Sequence, residues 1–197
     1  MKTAVIVIAF LGTILIPTAS AAPPEVGFEH KAGALVITVN EEPVATYRYE
    51  DEEIPRPYFA HIKAPCGVQV TRNHPPREGD LQDHEKMHPG MWLAFGDISG
   101  NDYWRLKARV DGGEFVEQPS GGPGKGTFAV RNRYLDEAGE RVVCEEVCRY
   151  SFEIVPEGYL FVCDSIFSSD SGEFYFGDQE EMGLGIRLAT PIAVKSD

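Results

Sequence analysis

The chain has 197 residues, a length that suits one folded domain. Its 31 acidic and 18 basic residues give a formal net charge of −13 at neutral pH. Nucleic acids and anionic membranes attract basic surfaces, so this excess of carboxylates argues against both as partners. The sequence leaves the oligomeric state open.

Residues 1–21 have the pattern of a secretory signal peptide. Lys2 supplies a positive charge, residues 4–16 form an apolar run, and Ala19-Ser20-Ala21 is a small-x-small cleavage site. A retained membrane anchor is the alternative, but the apolar run is shorter than the ~20 residues that a spanning helix needs. We therefore expect cleavage after Ala21, a periplasmic or secreted location, no membrane attachment afterwards, and a single domain over residues 22–197.

The mature chain alternates apolar and polar residues with period two, which is typical of strands that bury one face. Helical periodicity is weak, and residues 81–87 have room for one helical turn. Short strands separated by glycine- and proline-containing turns predict an all-β fold, an antiparallel β-sandwich, with a closed eight-stranded barrel as the alternative. The predicted strands are residues 34–39, 43–49, 141–155 and 159–167, with turns at 40–42 and 156–158, and residues 182–194 are a final strand-rich segment.

Residues 118–126 are rich in glycine and proline and are expected to form a loop, because both residue types disfavour a continued strand ladder. The segment resembles a phosphate-binding loop only superficially. Such a loop continues from Gly-Lys-Ser or Gly-Lys-Thr into a helix, whereas Gly126 follows Lys125 here and leads into a strand-like run. We therefore expect no nucleotide at this segment.

The four cysteines do not have the spacing of a structural zinc site. Export permits disulfides, but Cys144 and Cys148 lie four residues apart on one predicted strand, which separates them by about 13 Å. We expect both to be buried as small hydrophobic residues. A bridge from Cys163 to Cys66 or to Cys144 stays open.

The chemistry-bearing residues concentrate in residues 83–104, which hold both tryptophans and two of the five histidines. His61 and His74 lie just upstream, and residues 95–104 are predicted to form an aromatic strand pair. The segments that stand out are Arg56-Pro57-Tyr58-Phe59, Thr71-Arg72-Asn73-His74-Pro75-Pro76, Asp83-His84, His88-Pro89-Gly90-Met91-Trp92, Phe95-Gly96-Asp97 with Asp102-Tyr103-Trp104, and Gly183-Leu184-Gly185-Ile186-Arg187-Leu188-Ala189-Thr190-Pro191.

Together these motifs resemble the PmoA-like domain family, mainly over residues 56–110. The resemblance implies a β-sandwich similar to galactose-mutarotase-like and other sugar-processing supersandwich domains. A methane monooxygenase activity, which the family label suggests, would need several membrane-spanning helices that the mature sequence lacks. Family members extend further beyond the Ala189-Thr190-Pro191 strand, so we expect this chain to lack the family's C-terminal part.

The resemblance makes carbohydrate binding or processing the leading hypothesis. Trp92 and Trp104 would offer apolar faces to a sugar ring, unless both belong to the core. Polar side chains of the same region would form hydrogen bonds with sugar hydroxyls. The predicted substrate-binding residues are Arg56, Arg72, Asn73, Asp83, Trp92, Asp102 and Trp104.

His84 and His88 are the predicted catalytic residues, because imidazole exchanges protons near neutral pH. In a mutarotase-like mechanism, a histidine protonates the ring oxygen while a carboxylate deprotonates the anomeric hydroxyl. Glu180 or Glu181 is the candidate carboxylate. Whether the protein is an enzyme stays open.

Two alternatives remain. In the first, His61, His74, His84 and His88 bind a metal ion, with Asp83 completing the shell. Residues 84–88 have the zinc-protease order His-Glu-x-x-His, but proline directly after His88 disfavours the longer helix that carries this motif, so we assign no metal ligand and expect no cofactor. In the second, the domain is a non-catalytic module that binds a glycan or a protein.

Overall fold

A computed structural model describes residues 22–193. These residues form two antiparallel sheets and contain no helix, hence none that is long and apolar enough to cross a membrane. The all-β antiparallel sandwich predicted from the sequence is confirmed, and the closed barrel is excluded because the sheets are separate. The predicted signal peptide and cleavage site lie outside the described residues, as do residues 194–197.

The first sheet has six strands, and each pairs antiparallel with its neighbours. Its order is β1 (Val26–Lys31), β2 (Ala34–Val39), β3 (Glu42–Arg48), β4 (Tyr58–Ala60), β5 (Met91–Phe95) and β10 (Met182–Ile186). The predicted turn between β2 and β3 is tight: Asn40 and Glu41 have φ angles of 49° and 70°. Asparagine tolerates this left-handed region better than most residues.

The second sheet consists of four strands joined by hairpins in chain order. They are β6 (Val110–Gly122), β7 (Lys125–Leu135), β8 (Val142–Val155) and β9 (Gly158–Ser168). The predicted β8–β9 hairpin is confirmed, with Val155 opposite Gly158. Along β8 the side chains at even positions from Cys144 to Phe152 are buried, as the alternation predicts.

An aromatic core joins the two sheets. Tyr47 of β3 is fully buried, and its ring centroid lies 5.3 Å from those of Phe128 on β7 and Tyr150 on β8. Phe59 of β4 packs against Tyr47 at 4.9 Å and against Tyr150 at 5.1 Å. Because each such ring buries a large apolar area, this cluster is the main contact that fixes one sheet on the other.

The loop predicted at residues 118–126 is wrong, since β6 and β7 continue through most of it as a hairpin. Two of its glycines allow close packing, whereas Gly124, with a φ of 74°, lies in the hairpin turn. A Cβ at Gly121 would lie 2.0 Å from the carbonyl oxygen of Val26, and one at Gly126 would lie 2.7 Å from the Phe28 ring. Both of these residues belong to β1, which crosses the hairpin closely. Proline is tolerated at position 119 because β6 is an edge strand.

The predicted strand pair at residues 95–104 is also wrong in its second half. A bridge between Ile98 and Asn101 closes a tight turn, with φ angles of 51° at Ser99 and 84° at Gly100. The residues from 102 onward form further turns, and the partner of β5 is β10. In the described part of the strand-rich segment predicted at residues 182–194, the strand is Met182–Ile186.

Two edge strands expose apolar side chains. β9 borders the second sheet and β10 borders the first, so each pairs on one side only within residues 22–193. The exposed apolar residues on them are Leu160, Val162 and Ile166 of β9 and Met182, Leu184 and Ile186 of β10.

The cysteines differ in burial. Cys144 and Cys148 are fully buried among apolar side chains, which confirms the expectation for both. Cys163 lies beside Cys148, with 3.2 Å between the two sulfur atoms, so the structure brings it to neither of the partners considered from the sequence. Cys66 is exposed.

Candidate functional site

The loop of residues 81–88 carries both predicted catalytic histidines and is held by Arg72. This arginine is 2% exposed, and its guanidinium donates hydrogen bonds to the carbonyl oxygens of Leu81, Asp83 and His88. Inside the loop, the amide of His88 donates to the carbonyl oxygen of His84 over 2.8 Å. This bond closes one turn over residues 84–88, whereas the helical turn predicted over residues 81–87 is not assigned as helix and His84 has a left-handed φ of 49°.

Arg56 fastens the same loop to the turn that follows β5. Its guanidinium donates to the carbonyl oxygens of Tyr103 and Trp104, at 2.8 Å each, and to that of Met87. Burial lowers the pKa of Arg56 to about 10, and the guanidinium lies 5.6 Å from the centre of the Trp92 ring. Both arginines predicted to bind substrate thus have their two terminal nitrogens engaged by backbone carbonyls, while the Nε of each is buried without a partner among the described residues.

His88 is part of an aromatic cluster with both tryptophans. Its ring stacks on Trp92 at 4.7 Å with an interplanar angle of 10°, and meets Trp104 edge-on at 5.9 Å. His84 lies 5.3 Å from His88 on the exposed side. Burial, and then the neighbouring charges of His84 and Arg187, lower the pKa of His88 to about 4. His88 is therefore neutral at physiological pH and a weaker base than a solvent-exposed histidine.

The cluster leaves little tryptophan surface for a sugar. Trp92 is 4% exposed, and one face of its ring is covered by His88. Trp104 is half-buried and packs edge-on against Trp92 with 5.5 Å between centroids. Trp92 is thus a core residue, which was the alternative role for both tryptophans, while part of Trp104 reaches the surface.

Asp102 organises the turn after β5. Its carboxylate accepts a hydrogen bond from the amide of Arg105 over 2.9 Å and pairs with the side chains of Arg105 and Lys107. Burial alone would raise its pKa, but these hydrogen bonds and charges lower it. Glu181, a candidate catalytic carboxylate, pairs with the same Arg105, whereas Glu180 is exposed.

Asn73 and Asp83 take part in contacts between segments. The Asn73 side-chain amide donates to the carboxylate of Asp80 over 2.8 Å. Asp83 is exposed and pairs with Arg187, which follows β10, so the end of β10 is tied to the 81–88 loop. Hydrogen bonding and charge from Arg187 lower the pKa of Asp83 against the raising effect of its partial burial.

A second group of polar residues lines an open cleft of about 720 Å³, here named the His61–His74 cleft. At its wall, the hydroxyl of Tyr58 donates to the carboxylate of Asp51 over 2.7 Å. Partial burial would raise the pKa of Asp51, but this bond and backbone amide donors lower it, so the carboxylate is ionised at neutral pH. The lining residues include Arg48, Glu50, Asp51, Glu52, Glu53, Tyr58, His61, His74, Glu85 and Lys86.

The two histidines of the cleft are joined through the backbone. The ring Nε2 of His61 donates to the carbonyl oxygen of His74 over 3.0 Å, which fixes the tautomer of His61. The His74 ring packs edge-on against Tyr58 at 5.3 Å, and its Nδ1 has no hydrogen-bond partner among the described residues. Burial, with smaller contributions from His61 and two arginines, lowers the pKa of His74 despite the opposing charge of Asp51.

Two of these histidines have a left-handed backbone. The φ angle is 55° at His61 and 49° at His84. Residues other than glycine pay about 1–3 kcal/mol for this conformation, and such residues cluster at functional sites. Each of the two histidine pairs therefore contains one conformationally strained member.

Sequence reasoning missed three residues that line the His61–His74 cleft, namely Arg48, Asp51 and Tyr58. The signal for Asp51 was present. Its carboxylate accepts hydrogen bonds from the amides of Glu53 and Ile54 at 2.9 and 3.0 Å, the turn that an aspartate forms with the residues that follow it. The pairing of Asp51 with Tyr58 depends on the three-dimensional fold.

The histidines do not assemble into a metal site. His61 contacts His74 and His84 contacts His88, but residues 22–193 contain no group of three or more histidine, cysteine, aspartate or glutamate side chains arranged to hold a metal ion. The metal-binding alternative therefore gains no support from the geometry.

Two sheets of antiparallel strands, with polar loops gathered beside β4 and β5, define an all-β sandwich protein. The chain belongs to the family of unknown function DUF6807, whose model matches residues 34–197. No curated protein and no solved structure gives a significant match to the chain. The resemblance to the PmoA-like family stays a prediction.

Proposed function

We propose that the protein is exported through residues 1–21 and binds a carbohydrate in the His61–His74 cleft. The observation that carries this proposal is the cleft itself, which combines open space for a small polar ligand with fixed hydrogen-bonding groups. Asp51 is held by Tyr58, and His61 is held by the His74 carbonyl, so both side chains are preorganised. Preorganisation lowers the entropy that a ligand loses on binding.

The charges around the cleft favour a neutral ligand. Five carboxylates line it, from residues 50–53 and from Glu85, against two basic side chains, Arg48 and Lys86. This excess of negative charge opposes phosphates, sulfates and uronic acids through like-charge repulsion. A neutral sugar instead offers hydroxyl donors to carboxylates and hydroxyl acceptors to the basic groups.

The cleft also contains the elements of proton transfer. His74 has a lowered pKa, and its Nδ1 has no hydrogen-bond partner among residues 22–193, while Asp51 is an ionised carboxylate that lines the same cleft. Asp51 is suited to accept a proton from a sugar hydroxyl, whereas Nδ1 of His74 is buried from solvent. Sugar processing, as the PmoA-like resemblance implies, would use these groups in the cleft, with His84 and His88 as the alternative pair.

A matched pair of substitutions tests the location. His61→Asn and His84→Asn both replace a histidine that has positive φ, and asparagine tolerates that conformation. The wild-type protein is first screened for binding against neutral monosaccharides and oligosaccharides and against uronic acids, and hits are measured by isothermal titration calorimetry. We expect neutral sugars to bind, His61→Asn to weaken binding about tenfold or more, and His84→Asn to change it less than about twofold.

Other outcomes contradict specific parts of the proposal. A larger effect of His84→Asn than of His61→Asn would move the ligand to the His84–His88 pair. Binding of uronic acids alone would refute the charge argument. If no sugar binds the wild-type protein, the carbohydrate function is wrong. Asp51→Asn, which preserves shape and removes the charge, should weaken binding of the same neutral sugar.

A further inference from the structure

We propose that Cys148 and Cys163 form an oxidisable dithiol that closes into a disulfide between β8 and β9. Their sulfur atoms lie 3.2 Å apart. A disulfide bond is ~2.05 Å long, so closure requires an approach of roughly 1.2 Å. This pairing is absent from the sequence-based candidates, which joined Cys163 to Cys66 or Cys144.

The strand register explains both the proximity and the room to move. Cys148 is opposite Ser165, and Cys163 is opposite Tyr150, so the two cysteines are diagonal neighbours on one face of the sheet. Diagonal neighbours start farther apart than direct pairs. Because β9 pairs only with β8 within residues 22–193, it can shift toward β8 without breaking another ladder.

The two thiols differ in access and in acidity. Cys148 is fully buried, whereas Cys163 is exposed and lines a cavity of about 140 Å³ between the sheets. A hydrogen bond from the Cys148 thiol lowers the pKa of Cys163, despite opposing burial and the charges of Glu146 and Asp164. The same bond and burial raise the pKa of Cys148. Cys163 is therefore the attacking thiol, because the thiolate is the nucleophile.

The oxidant is a small-molecule disulfide or the disulfide of an exported thiol oxidoreductase, written R–S–S–R. The Cys163 thiolate attacks one of its sulfurs, forms a mixed disulfide and releases one thiolate. Cys148 then loses its proton and attacks the Cys163 sulfur, which breaks the mixed disulfide and releases the second thiolate. Two electrons and two protons pass to R–S–S–R, which becomes two molecules of R–SH.

Thiol counting in glutathione buffers tests the proposal. The purified protein is equilibrated with reduced or with oxidised glutathione, quenched with acid, and titrated for free thiols after denaturation. We expect all four thiols after reduction and two after oxidation, together with the mass loss of two hydrogen atoms. Peptide mapping should identify a fragment that joins Cys148 to Cys163.

Single substitutions identify the pair. Cys163→Ser changes an exposed residue and should leave three thiols under both conditions, whereas the control Cys66→Ser, also at an exposed position, should still lose two on oxidation. Cys148→Ser should behave as Cys163→Ser does if it folds. Four thiols in the oxidised wild-type protein, or a mapped bridge between other cysteines, would overturn the proposal.

Discussion

Replacing Arg56 with methionine should destabilise the fold by about 3 kcal/mol. The guanidinium, 3% exposed, donates hydrogen bonds to three carbonyl oxygens in two separate turns. Hydrogen bonds from a charged donor contribute ~1.5–3 kcal/mol each, so three contribute ~4.5–9 kcal/mol, with a midpoint of roughly 6.7 kcal/mol. Burying the cation opposes this: the fall of its pKa from 12.5 to about 10 corresponds to roughly 3.4 kcal/mol. Methionine removes both the three hydrogen bonds and the cost of burying the cation. It keeps part of the apolar contact with Trp92.

Urea unfolding followed by far-ultraviolet circular dichroism measures the effect without relying on tryptophan fluorescence. With an m-value of ~2 kcal/mol/M, the midpoint should fall by about 1.5 M. Arg109→Met is the matched control, because Arg109 is exposed and pairs with Asp111 at the surface, where such pairs contribute ~0–1 kcal/mol. If both variants lost the same stability, the inference that Arg56 holds the two turns together would be refuted.

Three further outcomes concern stability. The pKa of His88, about 4, lies below the ~6.5 of an unfolded histidine, so its contribution is complete above pH ~6.5 and is lost as pH falls through about 4. His88→Gln should reduce this loss of stability at low pH, measured by urea unfolding at several pH values. A titration midpoint of His88 above pH ~6, measured by nuclear magnetic resonance, would contradict this prediction. Gly90→Ala should cost about 2 kcal/mol, because its Cβ would lie 2.1 Å from the Phe59 carbonyl oxygen, whereas Gly158→Ala meets open space; equal melting temperatures would refute this. Glu146→Gln should cost about 1–3 kcal/mol, since the buried carboxylate accepts hydrogen bonds from three side chains, and an unchanged unfolding midpoint would exclude that role.

Local patterning predicted the β8–β9 hairpin of the second sheet well because burial alternates along most of β8. Along β8, a polar residue such as Arg149 faces outward while its neighbours Cys148 and Tyr150 face the core. The pattern failed where glycines meet another strand. Gly121 and Gly126 belong to a segment with the composition of a loop, yet β1 packs against both of them. Nothing in the sequence of that segment indicates this contact.

The candidate site was harder to predict because its contacts join distant segments. The sequence identified Arg72 as a polar ligand contact, but its donors are engaged by the carbonyls of the 81–88 loop. Backbone carbonyls are present at every residue, so no pattern shows which arginine will find them. The pairing of Asp51 with Tyr58 and the partition of four histidines into two pairs likewise depend on the fold.

The two apolar edge strands link solubility to pH. An unpaired strand edge is a template for pairing with another molecule, and proteins commonly protect such edges with charge. β10 has no charged residue, so protection must come from the net charge of −13 on the whole chain. As acid neutralises the carboxylates, electrostatic repulsion between molecules weakens. The apolar side chains on β9 and β10, such as Ile166 and Leu184, stay exposed. Mild acid should therefore drive native molecules together edge to edge before it unfolds them.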